Sequence, residues 1–290
     1  MFNADALEKD WQTLGSVSIN QLEDTRNQLH HALQIPAAVV RSFVPAKEDD
    51  SHSNFGWHHK LNALISHELE EPKKHRVALD FSFTLLILDE KDHIQSRYSL
   101  NGKPLNEAIE WQLSQIDAWN FGRNELSMDR PYEIPDHPTG KGQSFKFNES
   151  TATEMAKYYA NADLALKAAC TSFPNMSSVR CWPHHFDLGC LYTLDQKENP
   201  EGSKSISIGF SPGDGSYNEP YFYVNPWPYP DPKKTTFPKL PSGAHWHKEG
   251  WVGAVLTASQ IIKESTTKAQ VAHVVDYLNH AMEETESLLT

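Results

Sequence analysis

Histidines and carboxylates at alternating positions are the residues of this chain best suited to chemistry. His245, His247 and Glu249 occupy every second position, so in a β-strand their side chains share one face, with neighbouring imidazoles about 7 Å apart. Imidazole and carboxylate ligands bind Zn, Fe or Mn. His185 and Asp187 have the same spacing. If the two strands pair, His185, His245, His247 and Glu249 form a predicted divalent-metal site, with Asp187 orienting a ligand.

A second interpretation of these histidines needs no metal. Adjacent histidines beside Trp and Pro commonly satisfy hydrogen bonds in a buried core or a turn, and a chain with 15 histidines contains such pairs by chance. An imidazole beside a carboxylate can still act as a general base. The predicted catalytic residues are His184, His185, Asp187, Asp214 and Glu219.

Aromatic residues accompany these polar groups in the second half of the chain. Those predicted to contact a bound molecule are Tyr223, Trp227, Trp246 and Trp251. Such rings can line a cleft and stack on a sugar or another flat ligand. Strands also bury Tyr and Trp in the core, which is the alternative for each of them.

Four segments of the second half resemble the domain-of-unknown-function family 5996. They are Trp-Pro-His-His-Phe-Asp at 182–187, Gly-Phe-Ser-Pro-Gly at 209–213, Pro-Tyr-Phe-Tyr at 220–223 and Gly-Trp-Val-Gly-Ala-Val-Leu at 250–256. The resemblance is strong over about 179–256 and loose over the first half. It implies a shared site in these segments and no particular activity.

The helices and strands that position these residues are predicted from the spacing of apolar residues and from the capping residues and prolines at their ends. A capping box at Ser18 and Gln21 predicts a helix over 19–34 that Pro36 ends. Strands are predicted at 57–69, 77–88 and 94–100, with a helix after Pro104. In the second half, a helix is predicted from Thr151, then strands at 179–194, 205–210, 221–229 and 245–256, and a helix at 270–289.

This order predicts an α+β fold with largely antiparallel sheets and flanking helices. Residues 1–120 and 150–290 each read as helix, about four strands and helix, and 121–149 is a Pro/Gly-rich connection. Trp-His-His at 57–59 and Trp-Pro-His-His at 182–185 suggest a tandem duplication, with coincidence as the alternative. The candidate site belongs to the 150–290 half.

Composition narrows the classes of function. The 290 residues include 26 Lys and Arg against 38 Asp and Glu, a formal charge of −12, so we expect neither nucleic acid nor a membrane surface as a partner. The three cysteines form no CxxC pair, and the acidic N-terminus lacks an apolar stretch, which predicts a cytoplasmic protein. Phosphate-loop and dinucleotide-binding motifs are absent from the sequence.

Two functions are compatible with these residues. The first is a small-molecule enzyme with a His/carboxylate, aromatic-lined pocket, using metal-dependent hydrolysis or oxygen chemistry. The second is a noncatalytic protein that binds a carbohydrate-like ligand or a protein partner. For the enzyme, and for a noncatalytic protein that binds a carbohydrate-like ligand, we expect a small molecule to bind in the second half of the chain.

Overall fold

The computed structural model describes residues 2–69, 74–173, 175–195, 197, 202–241 and 243–290, apart from the side chain of residue 123. The chain divides into two units. The first unit comprises Gln21–Ala156 and Arg180–Phe186, and the second comprises Met1–Asn20, Lys157–Val179 and Asp187–Thr290. The predicted halves 1–120 and 150–290, and the duplication, stay predictions.

The first unit contains an antiparallel sheet and helices. In chain order its elements are α1 (Leu22–Phe43), β1 (Gly56–His58), β2 (Ala63–Ile65), β3 (Arg76–Asp80), β4 (Thr84–Leu88), β5 (Ile94–Ser99), α2 (Leu105–Ala118), the start of α3 (Glu149–Ser172) and β6 (Arg180–Trp182). The sheet order is β1-β2-β3-β4-β5, with every neighbouring pair antiparallel. β4 is buried at four of its five positions, whereas burial alternates along the edge strand β5.

The predicted strand over 77–88 is two strands, because a turn interrupts it. Asp80 Oδ1 accepts the backbone N–H groups of Ser82 and Thr84, each at 3.0 Å, which is typical of an Asx turn. Phe83 completes the reversal with φ at 60°. The apolar alternation is real, but β3 and β4 share it as a hairpin.

The prediction that Pro36 ends the first helix is wrong, and so is the predicted capping box. α1 begins at Leu22 without a side-chain cap and continues to Phe43 with Pro36 inside it. An interior proline costs about 3 kcal/mol. Ile35, Val39 and Val40 are fully buried, and each such side chain contributes about 1.5–3 kcal/mol, so burial of this helix outweighs the cost.

The second unit also contains an antiparallel sheet and helices. Its elements after the end of α3 are β7 (Asp187–Thr193), β8 (Ser205–Ser211), β9 (Tyr221–Trp227), β10 (His245–His247), β11 (Gly253–Thr257), α4 (Ala258–Ile261) and α5 (Thr267–Leu289). These strands pair in the antiparallel order β10-β11-β9-β8-β7. α5 lies on β9 and β11, where the fully buried Tyr277 donates a hydrogen bond to the Ala254 carbonyl at 2.8 Å.

Three further predicted strands are interrupted. The segment 57–69 contains the hairpin strands β1 and β2 with a turn over 59–62. The segment 179–194 contains β6 and β7 with a turn over 183–186, and 245–256 contains the hairpin strands β10 and β11. The α+β class with antiparallel sheets and flanking helices is confirmed. Among the residues described, none of the helices combines the length and apolar character needed to cross a membrane.

Candidate functional site

Two tyrosines on β9 each donate their hydroxyl to a carboxylate. Tyr221 and Tyr223 are two residues apart, so their side chains share one face of the strand. The Tyr223 hydroxyl donates to Asp187 Oδ2 at 2.5 Å, and the Tyr221 hydroxyl donates to Asp214 Oδ2 at 2.5 Å. Three predicted site residues, Tyr223, Asp187 and Asp214, are thus brought to this face of the second unit.

Burial keeps these phenols protonated. It raises the pKa of Tyr223 well above its ordinary value, and the Asp187 carboxylate raises it further. Burial and the Asp214 carboxylate likewise raise the pKa of Tyr221. A neutral phenol can only donate to a carboxylate, so these pairs hold the ring positions without moving a proton.

Glycine makes room for the Tyr223 ring on the neighbouring strands. A Cβ at Gly189 would lie 3.1 Å from the Tyr223 hydroxyl, and a Cβ at Gly209 would overlap the same ring and lie 2.6 Å from the Leu188 carbonyl oxygen. Both glycines therefore permit close approach of a side chain rather than an unusual backbone conformation.

A third tyrosine lies between two of the predicted metal ligands. The Tyr217 hydroxyl is 2.8 Å from His245 Nε2 and 2.9 Å from His247 Nδ1. The two histidines share a face of the edge strand β10, as the spacing predicted. His247 Nε2 lies 2.7 Å from the backbone carbonyl oxygen of Glu249.

That carbonyl determines the direction of every proton in the array when both imidazoles are neutral. A carbonyl oxygen only accepts, so His247 must carry its proton on Nε2. Its Nδ1 is then an acceptor and takes the Tyr217 hydroxyl proton. The Tyr217 oxygen in turn accepts the proton on His245 Nε2. The sequence of donors is His245 to Tyr217 to His247 to the carbonyl of Glu249.

The surroundings of this histidine–tyrosine array favour the uncharged forms of His245 and Tyr217. Burial, and then the charge of a protonated His247, lower the pKa of His245. Burial raises the pKa of Tyr217, with the Asp214 carboxylate adding to the effect. Trp251 covers His247, with ring centroids 4.1 Å apart and planes 20° apart. His245 and Tyr217 are therefore both uncharged at neutral pH.

Tyr217 also lines a groove of about 560 Å³ in the second unit. The residues that line it are Ser18, Ile19, Asn20, Ser216, Tyr217, Asn218, Glu219, Ser259 and Ile262. Glu219 is fixed at its wall, because its carboxylate accepts the Ser259 backbone N–H at 2.6 Å and the Ser259 hydroxyl at 3.0 Å. The predicted residue Glu219 is therefore part of the groove, and its hydrogen bonds hold the loop before β9 to the start of α4.

The histidine nitrogens that the metal hypothesis requires are directed at Tyr217. Glu249 contacts His247 through its backbone oxygen. Within the described parts of the chain, no three His, Cys, Asp or Glu side chains have an arrangement that could hold a metal ion. The predicted metal site stays a prediction that this geometry does not favour.

His184 and His185 lie in the first unit. The predicted alternation of His185 with Asp187 is wrong, because residues 183–186 form a turn instead of a strand. The Pro183 carbonyl accepts hydrogen bonds from the side chains of His30 and Gln34, each at 2.9 Å.

The ring of Phe186, which has φ at 59°, stacks on His30 with centroids 5.2 Å apart. Burial and the neighbouring His185 lower the pKa of His184 to about 4. His184 is therefore neutral at ordinary pH, and the contacts of the turn are those of a structural element.

The remaining predicted aromatic residues lie apart from the array. Trp246 alternates with the histidines of β10 and donates from Nε1 to the Pro238 carbonyl at 2.9 Å. Trp227 ends β9 six residues after Tyr221, is 43% exposed and meets Tyr229 edge-on. Of the four predicted aromatic residues, Tyr223 and Trp251 are thus the two that lie with the tyrosine–carboxylate pairs and the histidine–tyrosine array.

Sequence reasoning missed Tyr217 and Ser259. Tyr217 belongs to the irregular loop before β9, where neither helical nor strand periodicity applies. The position of Tyr217, four residues before Tyr221, does not indicate from the sequence what its hydroxyl contacts. Only the fold brings it to the histidines of β10.

Comparison with known proteins identifies a family. A model described as a family of unknown function, DUF5996, matches residues 14–286. None of the curated proteins and none of the solved structures compared with the chain matches it. The family match extends across the first half, where the sequence motifs resembled it only loosely. The chain therefore belongs to the DUF5996 family of unknown function.

Proposed function

We propose that the protein is a small-molecule enzyme in which Tyr217, assisted by His247, removes a proton from a substrate in the groove. The observation that carries this proposal is that Tyr217 both lines the groove and donates to an imidazole nitrogen 2.9 Å away. A residue shared by a groove and a proton-accepting array is suited to general base catalysis.

The proton movement is balanced within the array. As the Tyr217 hydroxyl proton passes to His247 Nδ1, the Tyr217 oxygen takes a proton from the substrate. His247 becomes an imidazolium whose Nε2–H stays on the Glu249 carbonyl. The His245 Nε2–H remains on the Tyr217 oxygen and offsets negative charge that develops there.

The residues that line the groove favour a neutral, hydroxyl-rich substrate. Its polar walls are short hydroxyl and amide side chains, which suit the hydrogen-bonding groups of a polyol or carbohydrate-like molecule. Glu219 is the charged residue among those that line the groove, which disfavours anionic substrates. The volume of about 560 Å³ is in the range of small-molecule sites.

The test pairs ligand binding with turnover. Neutral sugars and polyols are screened by saturation-transfer NMR, and each binder is then incubated with the protein while products are followed by NMR. Tyr217→Phe and His247→Gln should keep binding within about threefold and lower turnover by about 10²-fold or more. Tyr229→Phe, an exposed tyrosine elsewhere in the unit, is the matched control. Equal turnover in Tyr217→Phe and the control would refute the base role.

A second candidate function is noncatalytic binding of a carbohydrate-like ligand. Trp251 favours it, because this ring lies beside the array and its Nε1 contacts the Ser216 hydroxyl of the groove at 3.3 Å. Binding of sugars without any product in the same assay would establish this function in place of the enzyme.

The metal-dependent chemistry predicted from the histidine spacing is a separate proposal with its own measurement. Plasma mass spectrometry of untagged protein, alone and after reconstitution with Zn, Fe or Mn, is compared with the His245→Ala, His247→Ala double variant. Near-stoichiometric metal that the double variant loses would support a metalloenzyme. Equal, substoichiometric metal in both proteins would remove that mechanism.

A further inference from the structure

Two cysteines of the second unit lie with their sulfur atoms in contact. Cys170 belongs to the last turn of α3, and Cys190 lies in the middle of β7. Both are free thiols, and their Sγ atoms are 3.2 Å apart. A disulfide S–S bond is about 2.05 Å long, so an approach of roughly 0.6 Å by each sulfur would close it.

Backbone hydrogen bonds beside both cysteines fix this approach. The Ser177 N–H donates to the Leu191 carbonyl at 2.9 Å, and the Leu191 N–H donates to Ser177 Oγ at 2.9 Å. Met176 and Tyr192 form an antiparallel bridge next to them. The segment that follows α3 is thus bonded to the strand that carries Cys190. The Cys170 thiol itself lies 3.6 Å from the Ser177 carbonyl oxygen.

The two thiols differ in exposure and in acidity. Cys170 is partly exposed, whereas Cys190 is buried, with 6% of its surface accessible. The hydrogen bond between them lowers the pKa of Cys170 and raises the pKa of Cys190. An accessible thiol of lowered pKa reacts first with an oxidant, and a neighbouring thiol then resolves the product. Cys170 has the properties of the attacking thiol and Cys190 those of the resolving thiol.

We propose that Cys170 and Cys190 form a reversible oxidation site for a small peroxide, which joins α3 to β7 through an intramolecular disulfide. The Cys170 sulfur attacks one peroxide oxygen and breaks the O–O bond, which gives a sulfenic acid and one water. The Cys190 sulfur then attacks the Cys170 sulfur, and the sulfenic hydroxyl leaves as a second water. The thiols lose two hydrogens and two electrons, which reduce the peroxide.

The third cysteine provides an internal comparison. Cys181 lies in β6 of the first unit and is fully buried. Structural buried cysteines are inert toward oxidants, so we expect peroxide to leave it as a thiol. The oxidation site is independent of Tyr217 and of the groove, and its test does not depend on the function proposed above.

The test treats the whole chain with hydrogen peroxide and maps its cysteines without reductant. Trypsin, which cleaves after Arg180, and Asp-N, which cleaves before Asp187, place the three cysteines in separate peptides. Two of the three thiols should be lost, with the Cys170 peptide joined to the Cys190 peptide and the mass lower by two hydrogens. Dithiothreitol should restore all three thiols. Cys181→Ala, the matched control, should form the same joined peptide.

A second variant separates the two steps of the reaction. In Cys190→Ala the resolving thiol is missing, so Cys170 should accumulate as a sulfenic acid that dimedone labels. Longer exposure should convert it to a sulfinic acid, which dithiothreitol does not reduce. The protein without substitutions should give neither product, because its sulfenic acid is consumed by the disulfide.

Three outcomes in the protein without substitutions would overturn the proposal, whether or not the variants fold. Three unreacted thiols would show that peroxide does not reach Cys170. A sulfinic acid at Cys170 without a joined peptide would show that Cys190 does not resolve it. A disulfide between two chains, seen in nonreducing electrophoresis, would show that the sulfur contact within one chain does not direct the oxidation.

Discussion

Removing the Tyr223 hydroxyl tests whether the tyrosine–carboxylate pairs stabilise the second unit. Tyr223→Phe deletes the donor that lies 2.5 Å from the buried carboxylate of Asp187. A hydrogen bond to a charged group contributes about 1.5–3 kcal/mol, so we expect the free energy of unfolding to fall by about that amount. Tyr229→Phe, at an exposed ring, should change it by less than about 0.5 kcal/mol.

Alkaline pH provides an independent readout of the same pair. Burial raises the pKa of Tyr223 in the folded state above its ordinary value of 10. The stability from this shift is complete below pH 10 and is lost as pH rises through the folded pKa, because only the unfolded chain releases the proton. Tyr223→Phe should therefore flatten the decline of stability above pH 10.

The assay is urea unfolding followed by intrinsic fluorescence and circular dichroism at pH 7 and above pH 10. Asp187→Asn keeps the shape of the acceptor, and the double variant completes a cycle that isolates the coupling between the two side chains. A coupling energy near zero, with Tyr223→Phe as mild as Tyr229→Phe, would refute the proposed role of the hydrogen bond.

Three other predictions concern separate parts of the structure. Cys170 should react with iodoacetamide faster than Cys190, because it is more exposed and its hydrogen bond with the Cys190 sulfur at 3.2 Å lowers its pKa; peptide mass spectrometry measures both rates, and equal rates would contradict this. His184 should stay neutral down to about pH 4 in an NMR titration, and its contribution to stability should be lost as pH falls from 6.5 to that value; a midpoint near 6.5 would show that it is solvated. Gly209→Ala should destabilise by about 1–3 kcal/mol in urea unfolding, because its Cβ would lie 2.6 Å from a carbonyl oxygen; an unchanged midpoint would show that the strands can move apart.

Periodicity predicted the fold class because the helical and the strand spacing of apolar residues are both local patterns. The alternation along 77–88 identified apolar strands, and Leu79 and Leu85 are both buried as it requires. What it could not locate was the reversal between them, since Asp80 acts through hydrogen bonds to its own neighbours and interrupts no apolar pattern. Pro36 shows the opposite case. A proline is a strong local signal for the end of a helix, but the burial of apolar side chains along α1 outweighs its cost.

The sequence also indicated part of the candidate site. The spacing of His245 and His247 predicted that they share a face, and the fold places them so. Alternation sets the direction of a side chain but not its partner, and the partner here is Tyr217 from a loop 28 residues earlier than His245. The chemistry predicted from the pair, a metal sphere, thus differs from the hydrogen-bonded array that the tertiary structure assembles.

By itself, then, the sequence determined the α+β class, the family motifs and the shared face of the β10 histidines, because each depends on neighbours within a few residues. Tertiary structure alone decided that His184 and His185 belong to the first unit, that Asp187 receives the Tyr223 hydroxyl, and that Tyr217 contacts the histidines of β10. These contacts join residues tens of positions apart. No local pattern encodes them, because long-range pairing depends on strand register and burial across the whole unit.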